Sequence, residues 1–294
     1  MKIVFYDIVD YDGRGALATF IRYAKENNID YVSYGLNRDM KTKDDKHYVN
    51  ILIELLSVQN YINEVIFMDL AHRTVTECDT MFYLLETQAI RLKIIDHHDL
   101  PYSPNEVDEN ITYVYENGVS ACMLAWKHYF PKVKPPYVVE LINDRDVWLN
   151  ELQPDTNYFY NTFNMMNQNE LNDIIGGKYS LLDAWLAVGK IREESTVLPT
   201  IQGLVDSCEV IEWNNNKIAV PRKYIAPEYV SEVGNKACKQ YECDFFCSVY
   251  PKGNEWGYGL RSLDGQALKF IRDNGFKGGG HPNACGFSHP QKLF

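Results

Sequence analysis

Short apolar runs, spaced so that helical stretches fit between them, dominate the first 115 residues. KIVFYDIV (2–9), DYVSYG (30–35), EVIFMDL (64–70), RLKIID (91–96) and ITYVY (111–115) are short and rich in β-branched and aromatic residues, which is how buried strands read. GALATFIRYAKEN follows the first run with helical periodicity, and TVTECDTMFYLLETQAI, opening on threonine caps, precedes the fourth. GVSACMLAWKHYF continues as a helix after the fifth. Strands alternating with helices imply βαβ units, so an α/β domain with a mainly parallel sheet flanked by helices is expected.

From Pro135 to about Leu204 the pattern turns helical, through PPYVVELIND and SLLDAWLAVGKIREESTVLPTIQGLV. CEVIEW and KIAVP then flank Asn214-Asn215-Asn216 as a hairpin does. A helix (228–241), two strands (DFFCSVYP and WGYGLRS), a helix (265–273) and a glycine loop complete the chain. The organisation expected is an α/β domain over 1–185, a helical linker over 186–206 and a smaller α+β domain over 207–294. A length of 294 residues fits two domains and needs no disulfide or metal staple to build a core.

The sequence has no 18-residue apolar run, so no transmembrane helix is expected. The apolar stretch Ile3–Tyr6 is cut off by Asp7 and is too short for a secretory signal. Forty acidic against 29 basic side chains leave a net charge of −11. That opposes binding to long nucleic acids, whose affinity comes from cationic neutralisation of phosphates, and suits carboxylates gathered to hold divalent cations. Seven cysteines with no CxxC point to free thiols in a reducing, cytoplasmic setting. Cys238, Cys243, Cys247 and Cys285 could assemble a zinc site, but Cys243 and Cys247 read as one face of a strand, and buried thiols are the simpler expectation.

The chemistry concentrates where the acidic residues fall. Asp7, Asp10 and Asp12 follow the first strand, Asp69 ends a later one, and Asp96-His97-His98 ends the next. In open α/β sheets ligands bind outside the carboxyl ends of the strands, so three strands deliver carboxylates and imidazoles to one sheet edge. Divalent cations relieve the repulsion there, and Asp/His ligation without thiolate suits manganese, magnesium less so because of the imidazole. Taken singly, DYDG is a turn and Asp69 a helix cap; in this order at these strand ends, the elements point to a metal centre. Gly13-Arg14-Gly15-Ala16-Leu17-Ala18 also fits GxGxxA with Asp39 downstream, yet Asp10 and Asp12 would repel a pyrophosphate beside that turn.

Near the C-terminus, Gly278-Gly279-Gly280-His281-Pro282 reads as a glycine loop that lets the backbone approach an anion, with His281 as a donor. Arg261 could clamp a phosphate with its guanidinium. The aromatic cluster Tyr158, Phe159, Tyr160 and Phe163 reads as helix core and rim.

DYDGRGA, FMDLA, IIDHHDL, INDRDVW and KGGGHPNACGFS occur in the order found in the DHH phosphoesterases that carry a DHH-associated C-terminal domain, and the resemblance spans residues 3–288. Within that family the chain resembles the oligoribonuclease or nanoRNase branch, with a first motif like YHxxCxDGxGAA and a later DRDLW-like segment. It is less similar to the long-DNA exonucleases or the family II pyrophosphatases. The resemblance implies two manganese ions, with magnesium as a substitute. One would be held by Asp7, Asp10 and Asp69, the other by Asp12, Asp69, His97 and Asp144, with Asp69 bridging. It also implies that His98 contacts the scissile phosphate and that Arg261, Gly279, Gly280 and His281 hold a substrate phosphate.

Two positions depart from the branch: Asp7 stands where histidine is usual, and Asp10 where cysteine is. Spacing leaves Asp144 and Asp146 both open as the ligand, with Asp144 preferred. The reaction implied is hydrolysis of short oligonucleotides or linear dinucleotides such as pApA to 5′-mononucleotides, by two metals about 3.5–4 Å apart, with Asp69, His97, His98, Arg261 and His281 as its catalytic groups. No long duplex and no membrane partner is expected, and a homodimer is implied by resemblance. The alternatives are a cyclic nucleotide or dinucleotide, polyphosphate or pyrophosphate as substrate, and a non-catalytic nucleotide sensor, which the residue at Asp7 suggests.

Overall fold

The computed structural model describes residues 1–37, 51, 53–54, 62–70, 85, 89–98 and 110–294. The expected helix over TVTECDTMFYLLETQAI and the residue Asp39 lie, wholly or mostly, outside the described residues. The chain divides into two compact units, Met1–Ile191 and Arg192–Phe294.

The first unit is built on a five-stranded, all-parallel sheet of β1 (Lys2–Asp7), β2 (Tyr31–Leu36), β3 (Glu64–Met68), β4 (Arg91–Ile95) and β5 (Ile111–Val114), in the order β2-β1-β3-β4-β5. The central strands are buried on both faces, so they read as near-continuous apolar runs. Val4, Tyr6, Ile66, Met68 and Ile95 point into one core cluster, and Ile3, Phe5, Val65, Phe67, Leu92 and Ile94 into the other. Each set follows the period of two. The first cluster is closed by helix α1 (Tyr11–Glu26), whose Leu17, Phe20 and Ala24 face it, and by α2 (Ala121–Tyr129), which brings Trp126.

Helices α3 (Tyr137–Asp146), α4 (Asp155–Phe163), α5 (Gln168–Ile175) and α6 (Tyr179–Arg192) follow. Helix α4 buries Phe159 and Phe163 while Tyr158 and Tyr160 stay on its rim, as the aromatic pattern predicts. Helix α5 opens on a capping box between Asn167 and Glu170.

A π-helical turn, Glu193–Val197, joins α6 to α7 (Leu198–Val205). The second unit then forms a mixed six-stranded sheet in the order β10-β11-β9-β8-β7-β6. Its strands are β6 (Cys208–Trp213), β7 (Asn216–Pro221), β8 (Phe245–Lys252), β9 (Glu255–Arg261), β10 (Gly278–His281) and β11 (Ala284–His289), with α8 (Val230–Tyr241) and α9 (Ala267–Asp273) as its other helices. The β6–β7 hairpin turns on Asn214 and Asn215, both at positive φ (50° and 61°), as a two-residue hairpin demands. One sheet face packs Phe245, Cys247, Tyr258, Leu260 and Phe287, the other Ala219 and Phe246 against Val233 and Ala237 of α8.

Two readings need correction. GGGH is an edge strand, β10, and not a loop. Cys243 does not share a strand face with Cys247. The left-handed residue Glu242 (φ 50°) ends α8, and Cys243 lies in the turn that follows, packed on the cluster opposite the one that takes Cys247. The six described cysteines carry free thiols, and burial pushes the Cys247 and Cys285 thiols up.

Candidate metal centre

Because β1, β3 and β4 are adjacent and parallel, their carboxyl ends deliver residues to one level. Tyr6 pairs with Met68 and Met68 with Ile95, so the next residue on each strand is an aspartate: Asp7, Asp69 and Asp96. The ladder continues through them, with the Asp69 N–H donating to the Ile95 carbonyl (3.0 Å) and the Asp96 N–H to the Val114 carbonyl (3.2 Å). Asp69 takes a left-handed backbone (φ 55°), a cost of about 1–3 kcal/mol that persists where surrounding structure enforces it. Asp12, Asp69 and Asp96 are fully buried.

His97 is the hub. Its Nε2 lies 3.3 Å from Asp146 Oδ2, 3.8 Å from Asp12 Oδ2 and 3.8 Å from Asp69 Oδ1. Like charges at about 4 Å repel by about 4 kcal/mol even at an effective dielectric near 20, so one imidazole among three carboxylates is a poor balance and a divalent cation a good one. Next to it, His98 Nδ1 sits 2.7 Å from Asp96 Oδ1 and 3.6 Å from Asp69 Oδ1. Burial pushes the Asp96 carboxyl up, but the hydrogen bonds and charge of His98, with the charge of His97, outweigh it and hold the group below its ordinary value.

Asp12 is anchored from far along the chain. Its Oδ2 accepts the Ala121 N–H (2.6 Å) and its Oδ1 the Cys122 N–H (2.8 Å), so the carboxylate caps the N-terminus of α2, where exposed N–H groups and the helix dipole favour negative charge. Burial and the neighbouring Asp10 nevertheless raise its carboxyl to about 7. Each carboxylate oxygen retains a second lone pair, and Oδ2 lies 3.8 Å from His97 Nε2.

Within ligand reach the structure groups Asp69 with Asp96, His97 and His98, and Asp12 with His97 and Asp146; in each set the donor atoms lie within 4.8 Å of one another. Asp96 Oδ2 is buried without a hydrogen-bond partner. Buried carboxylate and imidazole donors without thiolate fit a hard-to-borderline divalent ion such as manganese.

The expected ligands sort as follows. Asp12, Asp69, His97 and His98 are brought together. Asp7 and Asp10 do local work: Asp7 Oδ1 accepts the N–H groups of Val9 (2.9 Å) and Asp10 (3.3 Å), and Asp10 is the N-cap of α1, accepting the Asp12 N–H (3.1 Å). Neither joins a metal-donor group among the described residues. Helix α1 starts at Tyr11, earlier than its periodicity suggests, so Gly13 and Gly15 are helical and do not form a dinucleotide-binding turn. A Cβ at Gly13 would meet Asp7 at 2.5 Å from its carbonyl oxygen, which explains the glycine.

Of the two aspartates that spacing leaves open, Asp146 is the one that lies beside His97. Residues two apart on a helix face nearly opposite directions, so only one of Asp144 and Asp146 can meet the cluster. Asp144 turns away, its Oδ1 accepting the Glu151 N–H (2.8 Å) and its Oδ2 the Thr156 hydroxyl (2.5 Å), while Asp146 reaches His97. Asp96, which the sequence reading quotes in its triplet without a role, also stands within ligand reach of Asp69, His97 and His98.

In the second unit, Arg261 pairs with Ala284 and Ala284 with His281, and Gly279 pairs with Gly286. Arg261, His281 and Gly279 therefore share one sheet face, and Gly280, between the last two, takes φ 135°, where a Cβ would meet the Ala284 carbonyl at 2.6 Å.

No profile of a known protein family matches the sequence. An uncharacterized protein of Acanthamoeba polyphaga mimivirus is 28% identical over 254 residues, 79% of this chain and 56% of that protein; the chain thus spans just over half of that relative's length. Among solved structures, the DHH domain of a protein from a ribosomal-protein family superposes with a TM-score of 0.60 at 15% identity, covering 97% of this chain and 82% of that one. The fold is that of DHH-domain proteins. The exonuclease RecJ bound to manganese gives a TM-score of 0.54 at 12% identity, over 98% of this chain and 85% of that chain. Among the described residues, no helix is long and apolar enough to cross a membrane.

Proposed function

We propose that this chain is a metal-dependent phosphodiesterase that hydrolyses short oligonucleotides or linear dinucleotides to 5′-mononucleotides. The observation that carries the reading is the position of His97 Nε2 within 3.8 Å of Asp12, Asp69 and Asp146, beside the Asp96–His98 pair at the same strand ends. The DHH fold shared with a manganese-bound exonuclease supports it.

Asp12, Asp69, His97 and Asp146 are the ligands proposed for one ion, and Asp69 with Asp96 for a second, manganese being preferred and magnesium a substitute. Divalent ions supply Lewis-acid polarisation of a phosphoryl oxygen and an acidified water. His98, held at Nδ1 by Asp96, directs its Nε2 edge to a non-bridging oxygen of the scissile phosphate. Arg261 offers a planar fork for a terminal phosphate, and Gly279, Gly280 and His281 supply backbone and ring donors to the same group. Asp7 supports the enzyme reading over the sensor reading, because its carboxylate serves the turn before α1 and its identity leaves the His97 cluster intact.

Chromatography of pApA incubated with metal-stripped protein tests the proposal. AMP that forms only after manganese is restored, and not with Asp69→Asn, is expected. Equal AMP from the Asp69→Asn variant would overturn the mechanism, and no AMP from the manganese-restored wild type would overturn the substrate.

A further inference from the structure

Helix α3 ends on a strained residue. The Leu149 N–H donates to the Asp144 carbonyl (3.0 Å) and the Trp148 N–H to the Arg145 carbonyl (3.3 Å), the paired bonds that close a helix on a left-handed residue. That residue is Trp148, at φ 56°. Glycine takes this conformation freely, whereas a bulky side chain does not. The same bond back across five residues closes on Asn28, Ala89, Gly177, Glu242 and Gly275 elsewhere, none of them a large apolar side chain. Trp148 is also 46% exposed, so burial of its ring does not account for the strain.

What the ring touches is a cation. The Arg145 guanidinium carbon lies 4.6 Å from the centre of the Trp148 ring and 4.1 Å from that of Tyr160, and Arg145 is only 6% exposed. A flat, weakly hydrated guanidinium suits such aromatic faces. Tyr160 in turn meets Tyr11 edge-on, with ring centres 5.6 Å apart. Burial, Asp146 and Asp10 push the Tyr11 hydroxyl up while Arg145 draws it down, as charges gathered around it do. Arg145 immediately precedes Asp146 and Tyr11 immediately precedes Asp12. The four side chains therefore link the two backbone points from which these carboxylates reach toward His97.

Asp146 needs such support. It is the last residue of α3, where the helix dipole disfavours negative charge and where helices fray. A carboxylate 3.3 Å from His97 at a fraying end has to be held in place before an ion arrives.

We propose that Trp148 is a positioning residue for the metal centre: by covering Arg145 it fixes the end of α3 and with it the carboxylate of Asp146. The inference rests on the reading of Asp146 as a metal ligand. The left-handed backbone at Trp148 is then strain kept for function. Glycine at that position would make a better helix cap and a worse metal site.

Titration of the metal-stripped protein with manganese, followed by the electron paramagnetic resonance signal of the free ion, tests this. No nucleotide is present, so a ring that merely stacked on a substrate would leave the readout unmoved. Trp148→Gly should weaken manganese binding about 10–100-fold, as the loss of an orienting partner does, while the metal-free melting temperature stays level or rises. Trp148→Phe, which keeps a ring over the guanidinium, should bind as the wild type does. Trp148→Leu, bulky and apolar but without a π face, should bind as weakly as the glycine variant, and the Phe–Leu comparison decides the matter even if Trp148→Gly melts lower. Wild-type affinity in Trp148→Gly or Trp148→Leu, or weak binding by Trp148→Phe, would overturn the inference and leave the metal centre standing. A wild type that binds no manganese would sink the metal-centre reading and the inference with it.

Discussion

Asp96 holds His98 at two points: its Oδ1 lies 2.7 Å from the ring Nδ1 and accepts the backbone N–H of the same residue at 2.9 Å. A carboxylate that fixes both the main chain and the ring of a histidine sets its rotamer and its tautomer together. Such orienting partners matter nearly as much as the residues they orient.

Asp96→Asn should therefore leave the fold intact and cost about 10–100-fold in kcat on pApA, with manganese affinity falling as well. Steady-state kinetics across a manganese titration separate the two effects. Unchanged kcat at saturating manganese would mean that His98 needs no such support.

The two aspartates of the INDRDVW segment should part company. Asp146→Asn removes a donor 3.3 Å from His97 and should weaken manganese binding by at least the roughly 10–100-fold that the loss of an orienting partner costs, with little change in stability. Asp144→Asn disturbs the buried acceptor for Glu151 and Thr156 and should cost about 1–3 kcal/mol in urea unfolding. The reverse pattern would restore Asp144 as the ligand.

Glu64 sets a pH dependence away from the metal centre. It is buried between Lys2 (2.5 Å) and Lys93 (3.4 Å). Burial pushes its carboxyl up, but the two ammonium groups outweigh it and hold the group below its ordinary value of 4.5; two lysines share one carboxylate, so burial wins at Lys93 and lowers it. The folded carboxyl titrates below the unfolded one. Its contribution is thus complete above about pH 4.5 and lost as the pH falls through the lowered folded value. Glu64→Gln should cost about 1–2 kcal/mol at about pH 7, because the lysine ends keep some water, and the gap to wild type should close as the pH falls through the lowered folded value. A gap that stays constant with pH would contradict the ion-pair account.

Manganese should stabilise the whole first unit. An ion present at about 100 times its dissociation constant adds about 2.7 kcal/mol to folding stability, visible as a rise in melting temperature that chelation reverses. His97→Ala should remove that rise. If manganese raised the melting temperature of His97→Ala as much as that of wild type, the binding site would lie elsewhere.

The strands, the parallel sheet and three of its acidic ends are legible in the sequence, because doubly buried strands read as unbroken apolar runs and Asp7, Asp69 and Asp96-His97-His98 terminate three of them. What is not legible depends on long-range geometry. Asp12 meets the N-terminus of a helix more than 100 residues away, and no local signal marks that contact. Asp144 and Asp146 sit on the last turn of one helix and face nearly opposite sides, and which side meets the cluster is set by how the helix packs, which the local sequence does not record. Asp7 and Asp10, which family resemblance implies as ligands, make turn and cap contacts near the start of α1. The shared sheet face of Arg261, His281 and Gly279 likewise emerges only from strand register.

The measurement that reaches the central claim most directly is an anomalous-difference map, at the manganese edge, from crystals grown with the ion. The structure predicts a peak coordinated by His97 Nε2 together with carboxylate oxygens of Asp12, Asp69 and Asp146. Manganese bound through Asp144, or no peak at the carboxyl ends of β1, β3 and β4, would contradict it.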